Sequence, residues 1–233
     1  MGGRLAIAST QTALGRRFGN YKPMEEQAVR EAIVAGGGRL ERLAYAFVDY
    51  LKICGHLGEP AYNYHDNTSI NPPYEAAENL VKGLGISEDL VSLFFISLNM
   101  HEHQDYYKGY EAGTFLSALI NSGPWKSLEL PVGHLDKPLE HLGALNEGKI
   151  IRVMGDVGAF AGRGMGRGRL IIEGNADDYV GSDMEGGTII VNGNAGKKIG
   201  DDMSGGTIRL NGEYERIGDV RCGLIYHKGK LIR

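Results

Sequence analysis

The sequence predicts an α + β protein in two parts, an N-terminal all-α helical domain followed by a C-terminal single-stranded β-helix. Three observations carry this: a 19-residue repeat of glycine and methionine, alternating apolar columns inside each repeat, and helical apolar periodicity upstream. Composition divides the chain at the same place. Residues 148–233 hold 20 of the 36 glycines, and all seven prolines lie before residue 148. The C-terminal segment has 13 basic and 11 acidic residues, a net +2, and the remainder has 12 and 18, a net −6. The expected division is an α domain over 1–125, a linker or degenerate first rung over 126–147, and the repeat over 148–233.

The helices follow from periodicity and from their stops. Pro23 suits a first helical turn ahead of Met24–Arg30, and Gly36, Gly37 and Gly38 end that helix. A second helix places Leu40, Leu43, Ala44, Phe47, Val48 and Leu51 on one face, and Gly55 and Gly58 close it. A polar, aromatic-rich loop over 61–74 leads to a short helix around 76–82. Ser87 caps the next helix, with Glu88 and Asp89 in its first turn and Leu90, Val91, Phe94, Phe95 and Leu98 as its apolar face. A last helix over 111–121 gathers Phe115, Leu116, Leu119 and Ile120 before Gly123-Pro124 breaks it. Helices of this length form a packed α domain.

The repeat is the strongest signal in the chain. Gly155, Gly174, Gly193 and Gly212 are each 19 apart, as are Gly162, Gly181 and Gly200, and Met165, Met184 and Met203. Two columns are always apolar, Ile151/Leu170/Ile189/Ile208 and Val153/Ile172/Val191/Leu210. The column between them, Arg152/Ile171/Ile190/Arg209, tolerates charge, so the period is two and the first two columns face inward. A strand that returns above itself after 19 residues is a parallel coil with rungs about 4.8 Å apart. The methionine column fills the narrow interior, and Asn192 and Asn211 suit a short amide ladder. A fourth unit from Gly212 has lost two residues and puts His227 in an inward column.

The run Ile172-Glu-Gly-Asn-Ala-Asp-Asp-Tyr-Val-Gly-Ser-Asp-Met-Glu-Gly-Gly-Thr-Ile-Ile-Val191 resembles the glycine-repeat domain at the C-terminus of the glutamate synthase large subunit. That domain also occurs in a scaffold subunit of formylmethanofuran dehydrogenase. The likeness covers 148–233 and implies a right-handed β-helix serving as a non-catalytic spacer or scaffold in an oxidoreductase-type complex. Nothing before residue 128 resembles the catalytic domains of glutamate synthase, so that activity is not carried over.

No residue constellation supplies nucleophile, base and charge stabiliser together, so no turnover, no catalytic residue and no cofactor is expected. Gly162–Gly168 reads as a coil corner rather than a phosphate cradle, because a strand and not a helix follows it. The rival reading is a small metal-dependent enzyme or ligand-binding protein built on His65, Asp66, His101, Glu102 and His103. His101 and His103 diverge on a helix, so only an unwound segment aims both at one ion. Tyr62, Tyr64 and Tyr74 suit either a docking surface or a self-packed loop. Cys54 and Cys222 have inert surroundings and build no disulfide framework, which points to a cytoplasmic location. Without a secretion signal, the acceptor motif Asn67-Thr-Ser69 is expected to stay unmodified. A net charge of −4 argues against nucleic acid, and no apolar run is long enough for a membrane helix. The expected partner is a protein or a second copy. It would meet the strip Ile171 and Ile190 between Arg152 and Arg209, or the end rung, whose tail of Lys228–Arg233 is expected to leave it partly uncovered.

Overall fold

The computed structural model describes residues 38–56, 70–97, 109–135 and 137–233. Among the described residues four helices come first, α1 Gly38–His56, α2 Asn71–Val81, α3 Glu88–Ser97 and α4 Gly109–Ser122, and the helix expected after Pro23 lies outside those residues. Seven strands follow: β1 Ser127–Pro131, β2 Glu147–Met154, β3 Arg167–Ile172, β4 Thr188–Val191, β5 Thr207–Leu210, β6 Leu224–His227 and β7 Lys230–Leu231. The strands lie in chain order in one sheet, parallel from β1 to β6, which is a parallel solenoid of about five turns. β7 alone is antiparallel.

The helices bury the residues their periodicity demands, with local differences. In α1 Leu40, Leu43 and Phe47 are buried, but Val48 is 40% exposed and Tyr50 takes the inner position. α2 starts at Asn71, earlier than its apolar pattern suggests. Pro72 and Pro73 occupy its first turn, where no intrahelical N–H is needed. Phe47, Phe94 and Phe115 meet with centroids 5.1 to 5.9 Å apart, the aromatic centre of the helical part.

The register gives the repeat its geometry. Leu170 pairs with Ile189 and Ile189 with Ile208, steps of 19 residues, whereas Ile208 to Ile225 is 17. Leu128 pairs with Ile151 and Leu130 with Val153, so residues 127–131 are the first rung. That step is 23 residues, yet Gly143 and Gly162 share a left-handed φ 19 residues apart. The four additional residues (23 − 19) therefore fall between β1 and position 143. Ile151, Leu170, Ile189, Ile208, Met165, Met184 and Met203 are fully buried in the solenoid interior.

Polar side chains tie coil to coil. Asp156 Oδ1 accepts from Asn175 N at 2.8 Å, Asn175 Oδ1 from Asn194 N at 2.9 Å, and Asn194 Oδ1 from Glu213 N at 2.9 Å. Asn211 Nδ2 donates to Asn192 Oδ1 at 2.7 Å, and Asn192 Nδ2 to Glu173 Oε2 at 2.7 Å, which extends the amide ladder by one carboxylate.

The helices and the solenoid share one continuous buried cluster, from Leu40 to Ile225. α3 packs on β1, and His134 Nε2 lies 3.0 Å from the Phe95 carbonyl. α4 docks on the turn over 139–145 through Gly113, Ser117 and Asn121, which share a face at intervals of four. Ser117 Oγ bonds the Gly113 and His141 carbonyls and accepts from Gly143 N. Asn121 Nδ2 donates to the Ala144 and Leu145 carbonyls and to Tyr74 Oη. At the helix end, Lys149 Nζ bonds the Gly123 and Trp125 carbonyls, a cation where the helix dipole is negative.

The far end corrects one expectation. The tail folds back instead of leaving the last strand bare: Tyr226 pairs with Leu231 and His227 with Lys230. Ile225 N donates to the Arg233 carbonyl at 2.8 Å, and an Arg233 guanidinium nitrogen to the Val220 carbonyl at 2.6 Å. A tight turn at Lys228-Gly229, both left-handed, makes this reversal fit within six residues.

Candidate functional site

Two places concentrate side chains that packing alone does not explain: the outward face of the sheet, and the seam between α4 and the first coils.

The outward face has a central column that the register sets out as Glu129, Arg152, Ile171, Ile190, Arg209 and Tyr226. Ile171 and Ile190 are neighbours on adjacent rungs and half-buried, and Arg152 and Arg209 flank them. Arg152 lies 2.5 Å from Glu173 and 3.8 Å from Glu129, so its charge is compensated within its own face. The Arg209 guanidinium sits 4.9 Å from the Tyr226 ring centroid, a cation–π contact. On one side run Ile150, Arg169, Thr188, Thr207 and Leu224, with Ile150 and Leu224 each 43% exposed. On the other side lie Met154, Glu173, Asn192 and Asn211. Arg169 is exposed and has no ion-pair partner among the described residues.

The seam contains a column the repeat analysis missed. His141, Phe160, Tyr179 and Lys198 are 19 apart, and all four have φ between 57° and 62°. Their rings stack: His141 on Phe160 at 4.9 Å, Phe160 on Tyr179 at 4.6 Å, with Lys198 Nζ 5.9 Å from the Tyr179 centroid. Their chemical variety hid the column, since no single property repeats. The shared left-handed backbone is the one constant, and it falls on residues that seldom adopt it. A signal was present, because Phe160, Tyr179 and Lys198 keep the 19-residue phase of the glycines.

Electrostatics at the seam disfavour acid–base or nucleophilic work. His141 is wholly buried, edge-on to Tyr110 at 4.8 Å, and neither ring nitrogen has a hydrogen-bond partner among the described residues. Burial, with the Arg163 guanidinium adding to it, pushes its pKa down to about 3. Burial raises the Cys54 thiol and the Tyr50 phenol and holds Tyr110 up at about 12. Glu140 is also raised, by burial first and then by Asp177 and Glu111. Near neutral pH the imidazole, the thiol and the phenols of this set are neutral. Arg163, itself buried, is spent on Asp183 at 2.9 Å.

The residues predicted for metal binding, His65, Asp66, His101, Glu102 and His103, lie outside the described residues, as do Tyr62, Tyr64 and Asn67. Among the described residues no group of three His, Cys, Asp or Glu side chains is placed to hold an ion. Gly155, Gly174, Gly193 and Gly212 stand at coil corners. A Cβ on Gly193 would lie 2.5 Å from the Gly174 carbonyl, and one on Gly212 2.3 Å from that of Gly193. Gly162, Gly181 and Gly200 form a left-handed column over the interior. A Cβ on Gly166 would lie 2.4 Å from Glu147 Oε1, and the two arginines of the Gly162–Gly168 segment already meet carboxylates, Arg163 that of Asp183 at 2.9 Å and Arg167 that of Glu147 at 3.3 Å. No helix among the described residues is long and apolar enough to cross a membrane. Comparison with protein families, with curated proteins and with solved structures found no match for this chain.

Proposed function

We propose that this chain is a non-catalytic scaffold, an assembly module that holds other polypeptides through the outward face of its solenoid. The observation that carries the reading is the contrast on the solenoid surface between satisfied polar groups and uncovered apolar ones. The polar side chains of the corners and of the Glu173, Asn192 and Asn211 ladder are engaged in rung-to-rung bonds, whereas on the outward sheet Ile150 and Leu224 are exposed and Ile171 and Ile190 half-buried. The neutral, desolvated state of Cys54, Tyr110 and His141 supports the same reading, because a catalytic seam needs groups poised near the working pH. The resemblance of 172–191 to the glycine-repeat domain of glutamate synthase and formylmethanofuran dehydrogenase agrees with a scaffold in an oxidoreductase-type complex. The right-handed winding is part of this proposal, supported by the strong preference of parallel crossovers for that hand.

Capture at native expression level tests it. A partner, or tagged and untagged copies of this chain together, is expected in stoichiometric amount, and Ile171→Lys with Ile190→Lys is expected to release it. Flavin or iron–sulfur proteins in the capture would support the oxidoreductase assignment. Recovery of the folded protein alone, with one equivalent of zinc, iron or manganese that a His101→Ala variant loses, would overturn the scaffold in favour of a metal enzyme.

A further inference from the structure

We infer that the outward face is occupied by a second copy of this chain, docked face to face about a twofold axis parallel to the solenoid. The inference rests on the assembly reading above and narrows it to self-association.

The two columns that flank the strip differ in charge and polarity in a way that matches one to the other. A twofold axis along the coil direction keeps every rung opposite its own copy and exchanges the flanking columns. Ile150 then faces Met154 of the second copy, and Arg169 faces its Glu173. Thr188 faces its Asn192, and Thr207 its Asn211. These four rungs are complementary, apolar on apolar, cation on anion and hydroxyl on amide twice, each contact made twice by symmetry, whereas the last rung sets Leu224 toward Lys228. Arg169 is an exposed cation with no acid of its own among the described residues, and Glu173, which already holds Arg152 through Oε1 and Asn192 through Oε2, keeps 24% side-chain exposure on the same face. In the centre Ile171 meets Ile171 and Ile190 meets Ile190, the two apolar residues of the column. Arg152 and Arg209 face their own copies, but Arg152 already lies between Glu129 and Glu173, and Arg209 lies over Tyr226.

The other face-to-face twofold, with its axis along the strands, has as many isoleucine pairs and as many arginine-on-arginine pairs, and it differs at the flanking columns. It sets Arg152 on Arg209, Ile150 on Thr207 and Arg169 on Thr188, and it leaves the unpaired cation unpaired. Two sheets of this kind pack about 10 Å apart, and six rungs of four to five residues give a footprint of about 400 Å² per copy. The pair then buries about 800 Å² in total, below the roughly 1,200 to 2,000 Å² of stable specific interfaces, so the dimer is weak, reversible and dependent on concentration.

Sedimentation velocity of the full chain over a concentration series tests the geometry. The wild type is expected to pass from monomer to dimer. Arg169→Glu and Glu173→Arg are each expected to raise the dissociation constant about tenfold or more, and the double exchange to restore it to near wild type. Should circular dichroism show either single variant misfolded, Ile171→Lys with Ile190→Lys decides, and it is expected to remain monomeric throughout. A wild type that stays monomeric, or a dimer indifferent to all these changes, overturns the inference. A monomer that captures a different protein through Ile171 and Ile190 overturns it while leaving the assembly reading intact. A monomer that captures nothing overturns both.

Discussion

Gly113→Ala is expected to cost roughly 3 kcal/mol of folding free energy or more, at the upper end for a single added methyl group. A Cβ at this position would lie 1.7 Å from the Glu140 carbonyl oxygen, and backbone supplies both sides of the clash. No rotamer relieves it. α4 must lift from the 139–145 turn, and that strains the bonds of Ser117 to the His141 carbonyl and Gly143 N and of Asn121 to Ala144 and Leu145. Gly38→Ala is the control, since a Cβ there meets nothing within 4 Å and φ is not left-handed. At that helical position alanine is neutral or slightly stabilising. Urea denaturation of the two variants beside wild type measures the difference. A Gly113→Ala protein within about 1 kcal/mol of wild type would mean that α4 does not sit on this turn, because a misfit of that size cannot be absorbed so cheaply.

Acid is expected to destabilise the protein through His141 in a defined window. The imidazole is held down at about 3, below the 6.5 of an exposed histidine, so the unfolded chain takes up a proton that the native chain refuses. The native state is therefore favoured fully above pH 6.5, and the contribution is lost as pH falls toward 3, by about 1.4 kcal/mol per unit in mid-window. Glu140 opposes this in part. Its carboxyl is raised, so it holds its proton better when folded and loses stabilisation as pH rises past 4.5. Tyr110 remains protonated throughout. His141→Phe isolates the effect, because Phe160 already occupies the equivalent left-handed position with the same stacking. Its denaturation free energy should change less between pH 7 and pH 4 than that of wild type. Equal slopes in the two proteins would contradict the buried neutral imidazole.

What the sequence made legible followed the length of the repeat. Three full units with glycine, methionine and two apolar columns in phase point to a parallel coil. The first coil is harder to read, because the additional residues ahead of Gly143 break the phase between Leu128 and Ile151. The stacked column His141, Phe160, Tyr179 and Lys198 escaped for a different reason, since its common feature is backbone conformation rather than side-chain type. Val48 and Tyr50 exchanged roles because periodicity locates a helix face only to within one position, and the aromatic contacts with Phe47 and Phe115 favour the larger ring inside. The tail reversal depends on two left-handed residues, Lys228 and Gly229, of which only the glycine announces itself. The candidate face was legible as a pair of isoleucines in a column that tolerates charge. Its flanking columns needed the register, which places Arg169 and Glu173 four residues apart on one rung and on the same side of the pleat.

The claim that the outward sheet is a protein-contact surface is tested most directly by a photo-crosslinking residue at position 190, irradiated in cells at native expression level. The account predicts a covalent adduct with another polypeptide, its own copy or a partner, and no such adduct from a residue placed at the buried neighbour 189. A folded protein that yields no adduct from position 190 would contradict it.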